Sequence, residues 1–459
     1  MKLHQAFNVV RGDVVAFTGA GGKTSALIGL GYELQEAGWR VLATTTTCIA
    51  EEQLPLMPHY MRYDAGMNAI SLALTQHGFV FLYDVVRGSQ VYGPRSAWLR
   101  ELLDSVDSDV LLIEADGAGG LPLKAPYDDE PTIPDEASLV VPVASLSALD
   151  LPLDEEHVYN PKPIMEKFGF PHGSKICSPW IAQVLRDDDL GLRGIPQRAR
   201  VVAFLNQTPE EGYKRHRAQM IAKMVLRSPR MDGVALGAVR GANPVLEVQR
   251  SLGAVVLAAG RSSRMGAPKV LLPWSNGQSI VEHIVAQLIR SRIDHINVVT
   301  GFYADDVKER VKPMGAKAVH NRQHKTGEML SSIKAGLRAM PDNVSAALIV
   351  LGDQPRIEAK VIYELLRAYA EVQGDLIIPS FEMRRGHPIL LGRRFWQEVL
   401  ALPRSGSMKS VINKYQDEIV YINVDTDSIL RDVDTPADYE QERLRAGLDP
   451  LHMRRSPDA

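Results

Sequence analysis

The chain has 459 residues, 45% hydrophobic and 23% charged, with a formal net charge of −3. That length suits about two to four globular domains with full cores, and the charge excludes a global basic field for nucleic acid. The two cysteines, Cys48 and Cys177, lie far apart, which excludes a disulfide framework and a CxxC metal site.

The opening MKLHQAFNVVRGD lacks a basic-then-apolar signal pattern, and no apolar run is long enough to span a bilayer. A cytoplasmic location with no membrane partner is therefore expected. Residues 13–47 read as a strand, a glycine-rich turn, a helix and a second strand. Leu27, Leu30 and Leu34 recur at helical spacing, and Gly38 closes the helix. The turn TGAGGKTS has the composition of a phosphate-binding loop. Gly19, Gly21 and Gly22 free the backbone, Lys23 supplies charge, and Thr24 is a candidate Mg2+ ligand. The loop is shorter than the GxxxxGKS/T pattern, whose first glycine would fall at Phe17, and a plain strand-to-helix turn is the alternative. Thr44 to Thr47 end the second strand and are candidates to line the same site.

VLLIEADGAGG, 110–120, is an apolar strand running into acids. Asp116 is a candidate to hold Mg2+ through water, and Glu114 to orient a nucleophile. Residues 121–198 are rich in Pro and Asp and poorly periodic, which predicts long loops with short elements. VVAFLNQTPE, 201–210, is another apolar strand; its Asn206 could face a nucleobase or be an ordinary strand-end polar residue. GANPVLEVQRSL, 241–252, suits a linker, so the boundary is placed near 250, giving domains 1–250 and 251–459.

A second α/β pattern then opens with VVLAAGRSSRMGAPK, 255–269. The apolar strand ends in Gly260, and Arg261, Arg264 and Lys269 follow within ten positions. Small residues let backbone N–H groups approach a polyphosphate, and the cations can stabilise charge on a leaving pyrophosphate. A basic surface loop is the alternative. The pattern continues with a helix near 280–290, a strand near 295–300, a helix near 303–311 and a strand near 346–351. Alternation of this kind predicts parallel sheets covered on both faces.

ALIVLGDQP, 347–355, puts Asp353 just past a strand's carboxyl end, where ligands of open α/β sheets bind. LRDVDTPADY, 430–439, offers Asp432 and Asp434 before Pro436. Two carboxylates from distant segments can share one Mg2+. Helix capping is the alternative for Asp353, ahead of Pro355, and for Asp434. In GHPILL, 386–391, Gly386 permits close backbone approach, and His387 is either a phosphate donor or a structural turn histidine. TGEMLSSIKAGL, 326–337, starts a helix with Ser331 and Ser332 in its first turn. The tail, 447–459, is polar and expected to fray, and the chain shows no tandem repeat.

Together, LAAGRSSRMGAPK, GDQP and DVDTPADY resemble the molybdenum cofactor cytidylyltransferases, within the wider nucleotidyltransferases of glycosyltransferase-like, Rossmann-related fold, over about residues 252–445. The resemblance implies transfer of CMP from CTP to a molybdopterin-type cofactor with release of pyrophosphate. It makes Arg264, Lys269 and Asp353 the catalytic set, with Asp353 and Asp434 on Mg2+. It puts Leu257, Ala258, Ala259, Gly260 and Ser332 at the nucleotide and Gly386 and His387 at the acceptor. Ala259 goes with the cytidine type, since the related guanylyltransferases carry LAGG. Where many cytidylyltransferases read GMSSSL, this chain has Glu328.

GAGGKT, TTTT, EADGAGGLPLKAP and EPTIP resemble the selenium-dependent hydroxylase accessory protein family, over about residues 8–240. LPLKAP with EPTIP, 121–134, is the most distinctive part, and Lys124 is a candidate functional residue in it. This resemblance implies an accessory domain that takes ATP or GTP and assists an apo molybdenum hydroxylase. The expected architecture is thus α/β in two domains. The first is a phosphate-binding-loop NTPase-like parallel sheet and the second a nucleotidyltransferase mixed sheet. A sugar- or polyol-phosphate acceptor, or a nucleotide-switched cofactor carrier without catalysis, are the other functions these residues allow.

Overall fold

Runs of Val, Ile, Leu and Ala at 13–19, 41–45, 110–114 and 139–145 are apolar on both faces, and such runs bury as parallel strands between helix layers. The structure, a computed structural model, describes residues 1–371 and 374–449; the end of the polar tail, 450–459, lies outside the described residues. The chain divides into two compact units, Met1–Arg250 and the residues from Ser251 onward.

In the first unit nine strands form one sheet. They are β1 (Asp13–Gly19), β2 (Val41–Thr45), β3 (Tyr60–Arg62), β4 (Phe79–Tyr83), β5 (Val110–Glu114), β6 (Leu139–Ser145), β7 (Arg200–Asn206), β8 (Gly233–Gly237) and β9 (Val245–Gln249), in the order β9-β8-β7-β6-β1-β5-β2-β4-β3. Every neighbouring pair is parallel except the edge pair β8–β9. Helix α1 (Lys23–Glu36) follows β1 and buries Leu27, Leu30 and Leu34; Gly38, at φ +79°, ends it.

Two expectations need correction here. The segment assigned as a linker contains β9, so the first sheet is not wholly parallel. Val245 and Val248 are buried, and Glu247 takes hydrogen bonds from Arg215 and Gln219 of α2 (Tyr213–Val225). The Gly-Ala-Asn-Pro run only turns the chain into this strand; the apolar, valine-bearing Val-Leu-Glu-Val behind it is the stronger signal. Within 121–198, expected as long loops with short elements, lies the seven-residue core strand β6, which is buried along its whole length beside β1. Pro142 disguised it, because proline normally marks an edge, and the pairing with β7 indeed skips Val141 and Pro142.

The second unit holds an eight-stranded mixed sheet. Its strands are β10 (Leu252–Ala258), β11 (His295–Thr300), β12 (Lys317–His320), β13 (Ala346–Leu351), β14 (Leu376–Phe381), β15 (Arg384–Arg385), β16 (Ile389–Gly392) and β17 (Ile419–Asn423). The order is β12-β11-β10-β13-β16-β14-β15, with β17 pairing β14. β12, β11, β10 and β13 run parallel, and β16 is antiparallel to both of its neighbours. Around it pack α3 (Ile280–Arg290), α4 (Ala304–Val311), α5 (Met329–Arg338), α6 (Ala359–Ala370), α7 (Met408–Lys414) and α8 (Pro436–Arg445). Both units are therefore α/β, with central parallel strands whose carboxyl ends open into loops. Among the described residues no helix is long and apolar enough to cross a membrane.

Gly31 of α1 faces the Phe79 ring of β4, where an added Cβ would stand 2.3 Å away. Alanine gains about 1 kcal/mol in helix propensity. Overpacking against a buried ring costs about 1–3 kcal/mol and outweighs that gain, so Gly31→Ala is expected to destabilise the unit by up to about 2 kcal/mol net. Urea unfolding reads this directly, and an unchanged or raised midpoint would contradict the packing.

Candidate functional site

In the second unit the loop after β10 leaves the sheet at its centre. Ser262 adopts φ +56° and its hydroxyl accepts the Lys269 N–H at 3.1 Å, which folds the loop back on itself. Lys269 Nζ then donates to Asp353 and, at 3.1 Å, to Asp434. Asp353 stands past the end of β13, where Gly352 lies so close to β10 that a Cβ would meet Leu257 O at 2.5 Å. The Val433 N–H donates to Asp353 O at 2.8 Å, and that bond seats the Asp432–Asp434 segment. Arg264, largely exposed, pairs with Asp434 at 3.0 Å. Burial lowers the Lys269 pKa, but the Asp353 charge and the bonds to both aspartates outweigh it, and the ammonium is held above its ordinary range.

Neither aspartate is a helix cap. Glu358 precedes α6, and Thr435 caps α8 in a reciprocal pair with Asp438. Asp432 is held by Gln354 Nε2 at 2.6 Å; burial raises its carboxyl, the Gln354 bond partly offsets this, and the charges of Asp353 and Asp434 raise it further. Hard carboxylate oxygens converging where a cation already sits match the donor set Mg2+ prefers.

Leu257 to Gly260 run from the end of β10 into the loop, with Gly260 exposed and open around its Cα. Ser332 is buried, and its hydroxyl accepts from Asn321 Nδ2 at 3.1 Å, while Ser331 accepts from the same amide at 2.8 Å. Asn321 thus fixes the start of α5; a lone Asn after β12 gave no sequence signal for this. Glu328, the residue before α5, lines a pocket of about 300 Å³ with Gly386, His387, Arg385, Lys409 and apolar walls from α5 and α7. The reasons for Gly386 and His387 differ from those expected. A Cβ on Gly386 would strike Ile429 at 2.6 Å, so glycine is required by internal packing. Burial pushes the His387 imidazole down from its ordinary range, and its Nδ1 lies 3.3 Å from Ile349 O.

In the first unit the glycine loop after β1 borders a cleft of about 830 Å³. A Cβ on Gly21 would meet Ser145 at 2.5 Å; one on Gly22, at φ +131°, would meet Asn206 Nδ2 at 2.1 Å. Lys23 is buried and donates to Gly19 O at 2.7 Å, with Asp116 at 3.2 Å and Glu114 at 3.8 Å. Thr24 Oγ1 donates to Glu114 at 2.7 Å. Burial raises the Glu114 pKa, and Lys23 and Thr24 oppose it.

Three expected roles shift. Asp116 does not line the cleft but lies behind the loop, accepting the Gly19 N–H at 2.9 Å and pairing with Lys23 and Lys124; Glu114 is the carboxylate that faces the cleft beside Thr24. Asn206 does not wait for a base: its amide donates to Gly21 O at 2.7 Å and its oxygen accepts from Gln207 and Val239. The hydroxyls of Thr44, Thr45 and Thr46 each bond a neighbouring carbonyl and do not line the cleft.

Residues 15–162 match the family model described as YqeC protein, and residues 254–419 that of the MobA-like NTP transferase domain. The protein YqeC of Escherichia coli (strain K12) is 31% identical over 43% of this chain and 77% of its own length. The molybdenum cofactor cytidylyltransferase of the same organism is 26% identical over 40% of this chain and 92% of its own length. A solved nucleotidyl transferase from Methanothermobacter thermautotroptrophicus is 23% identical over 43% of this chain and all of that one, with a TM-score of 0.38. The chain belongs to the YqeC family through its first unit and, carrying a MobA-like NTP transferase domain in its second, is a nucleotidyltransferase.

Proposed function

We propose that the C-terminal unit transfers CMP from CTP to a molybdopterin-type cofactor with release of pyrophosphate. The N-terminal unit would be a nucleotide-binding accessory domain, taking ATP or GTP, in the maturation of a selenium-dependent molybdenum hydroxylase. The observation that carries this reading is the convergence of Lys269, Asp353, Asp434 and Arg264 beside the loop at Gly260. The relative named a molybdenum cofactor cytidylyltransferase supports the choice of acceptor and base.

The chemistry is in-line attack by an acceptor phosphate oxygen on the α-phosphorus, with pyrophosphate leaving. Backbone N–H groups of the 258–264 loop would cradle the triphosphate, and Lys269 and Arg264 would balance charge developing on the leaving group. Asp353 and Asp434 would hold Mg2+, which supplies further neutralisation of the triphosphate when bound. The apolar walls of the pocket at Gly386 and His387 suit a ring system better than a sugar, and His387 Nε2 would accept a hydrogen bond from the acceptor. In the N-terminal cleft Gly21, Gly22, Lys23 and Thr24 would meet the phosphates. Two activities on one chain raise the effective concentration of a labile intermediate at the second site.

Pyrophosphate release with CTP and molybdopterin, set against GTP, ATP and a sugar phosphate, tests the reading. Release with a sugar phosphate alone would shift the acceptor, and tight cofactor retention with no release would favour a carrier. Asp353→Ala, shown to be folded by circular dichroism, is expected to lower turnover by at least about 100-fold and to lower the melting temperature as well, since its pair with Lys269 is lost; near-parental turnover would sink the assignment. His387→Ala is expected to raise KM for the acceptor about tenfold and leave KM for CTP unchanged. An effect on CTP alone would place His387 at the nucleotide instead.

A further inference from the structure

The segment LPLKAP with EPTIP supplies Lys124 and Glu130, and both join a buried charge cluster behind the N-terminal glycine loop. Asp116 is shared there by two lysines, Lys23 Nζ at 3.2 Å and Lys124 Nζ at 3.1 Å, and it also accepts the Gly19 N–H. The lysines differ in what else holds them. Lys124 donates to Gly117 O at 2.5 Å and to Glu130 at 2.8 Å, lies 4.8 Å from the Tyr159 ring centroid, and does not line the cleft. Lys23 lines the cleft, and its remaining contacts are Gly19 O and a longer approach to Glu114.

Only Lys23 can therefore turn to a ligand. As it leaves, Asp116 keeps Lys124 and the Gly19 N–H, so no bare carboxylate is stranded in the interior. Were Lys124 absent, Asp116 would have Lys23 as its single counter-charge, and detaching Lys23 would leave a buried, uncompensated anion.

We propose that Lys124 is a positioning residue for polyphosphate binding in this cleft: by neutralising Asp116 it frees Lys23 for the ligand, and Asp116 competes with the ligand for Lys23 rather than contributing to its binding. This rests on the nucleotide-binding reading of the N-terminal cleft. It assigns Asp116 a role opposite to that of a metal ligand, and it explains why a lysine that touches no ligand is buried beside one that does.

Calorimetric titration of the full chain with ATP, GTP and inorganic triphosphate in magnesium chloride tests it, with Lys23→Met as the reference that identifies N-terminal binding. Asp116→Asn, whose amide oxygen can still accept the Gly19 N–H, is expected to bind several-fold more tightly than the parent. Lys124→Met is expected to bind at least about tenfold more weakly. The double variant Asp116→Asn with Lys124→Met is expected to recover parental affinity or better, which a merely structural loss at Lys124 would not allow. Weaker binding by Asp116→Asn, or no recovery in a folded double variant, overturns the proposal. If Lys124→Met fails to fold, the Asp116→Asn titration decides alone. No difference between the parent and Lys23→Met with any of the three probes overturns the underlying nucleotide reading instead.

Discussion

The catalytic unit depends on one ammonium group. Lys269 Nζ joins Asp353, 84 residues away, to Asp434, 165 residues away, and so fastens the loop after β10, the end of β13 and the entry to α8 at one point. None of these segments could be placed by its own sequence. The loop follows β10 because β10 is buried between two parallel neighbours, and Asp353 is at hand because β13 is one of them. The approach of the two strands is close enough to demand glycine at 352. The capping pair of Thr435 and Asp438 then starts α8 just past Asp434 and leaves that carboxylate directed at the lysine.

The first unit reaches a similar arrangement by another route. Its lysine also follows a glycine-bearing loop off a central strand, and it is also balanced by carboxylates from a neighbouring strand's end. Here, however, the lysine opens a helix, so the N–H groups of the first turn of α1 add to its field. The glycines are fixed by contact as much as by φ. Ser145 and Asn206 occupy the space that side chains at 21 and 22 would need, so the loop is shaped by β6 and β7 and not by its own residues alone.

Much of this was legible in the sequence where local and global preferences agree. The leucines of α1 and the apolar runs of β1, β10 and β13 each satisfy a periodic rule that burial reinforces. Asp353 stood out because it lies just past an apolar strand, and Lys269 and Asp434 because of the basic loop and the acidic run in which they stand. β6 and β9 were hidden by proline and by turn residues, whose signals are local, whereas the pairing that made them strands is not. Asp116, Asn206 and the threonines illustrate a second limit. A polar residue at a strand end can serve a ligand or the chain's own backbone, and only its three-dimensional neighbours decide between them. Lys124 had a distinctive neighbourhood but no rule, since a buried lysine is explained only by the three oxygens that surround it.

Both sites therefore hold their cations against the protein's own carboxylates before any ligand arrives. Such a lysine yields only to a partner that matches the negative charge it gives up and does not strand the carboxylates left behind. A monoanion meets neither condition, whereas a polyphosphate meets the first. The second must be met by a counter-charge. In the first unit the chain supplies one for Asp116 in Lys124. In the second unit, among the described residues, Asp353 has no such reserve and Asp434 has only the largely exposed Arg264. Two hard carboxylates with so little internal compensation are what a divalent cation would replace the lysine to satisfy. On this argument the buried reserve lysine of the first unit and a divalent cation at the aspartate pair of the second would be alternative solutions to the same electrostatic problem.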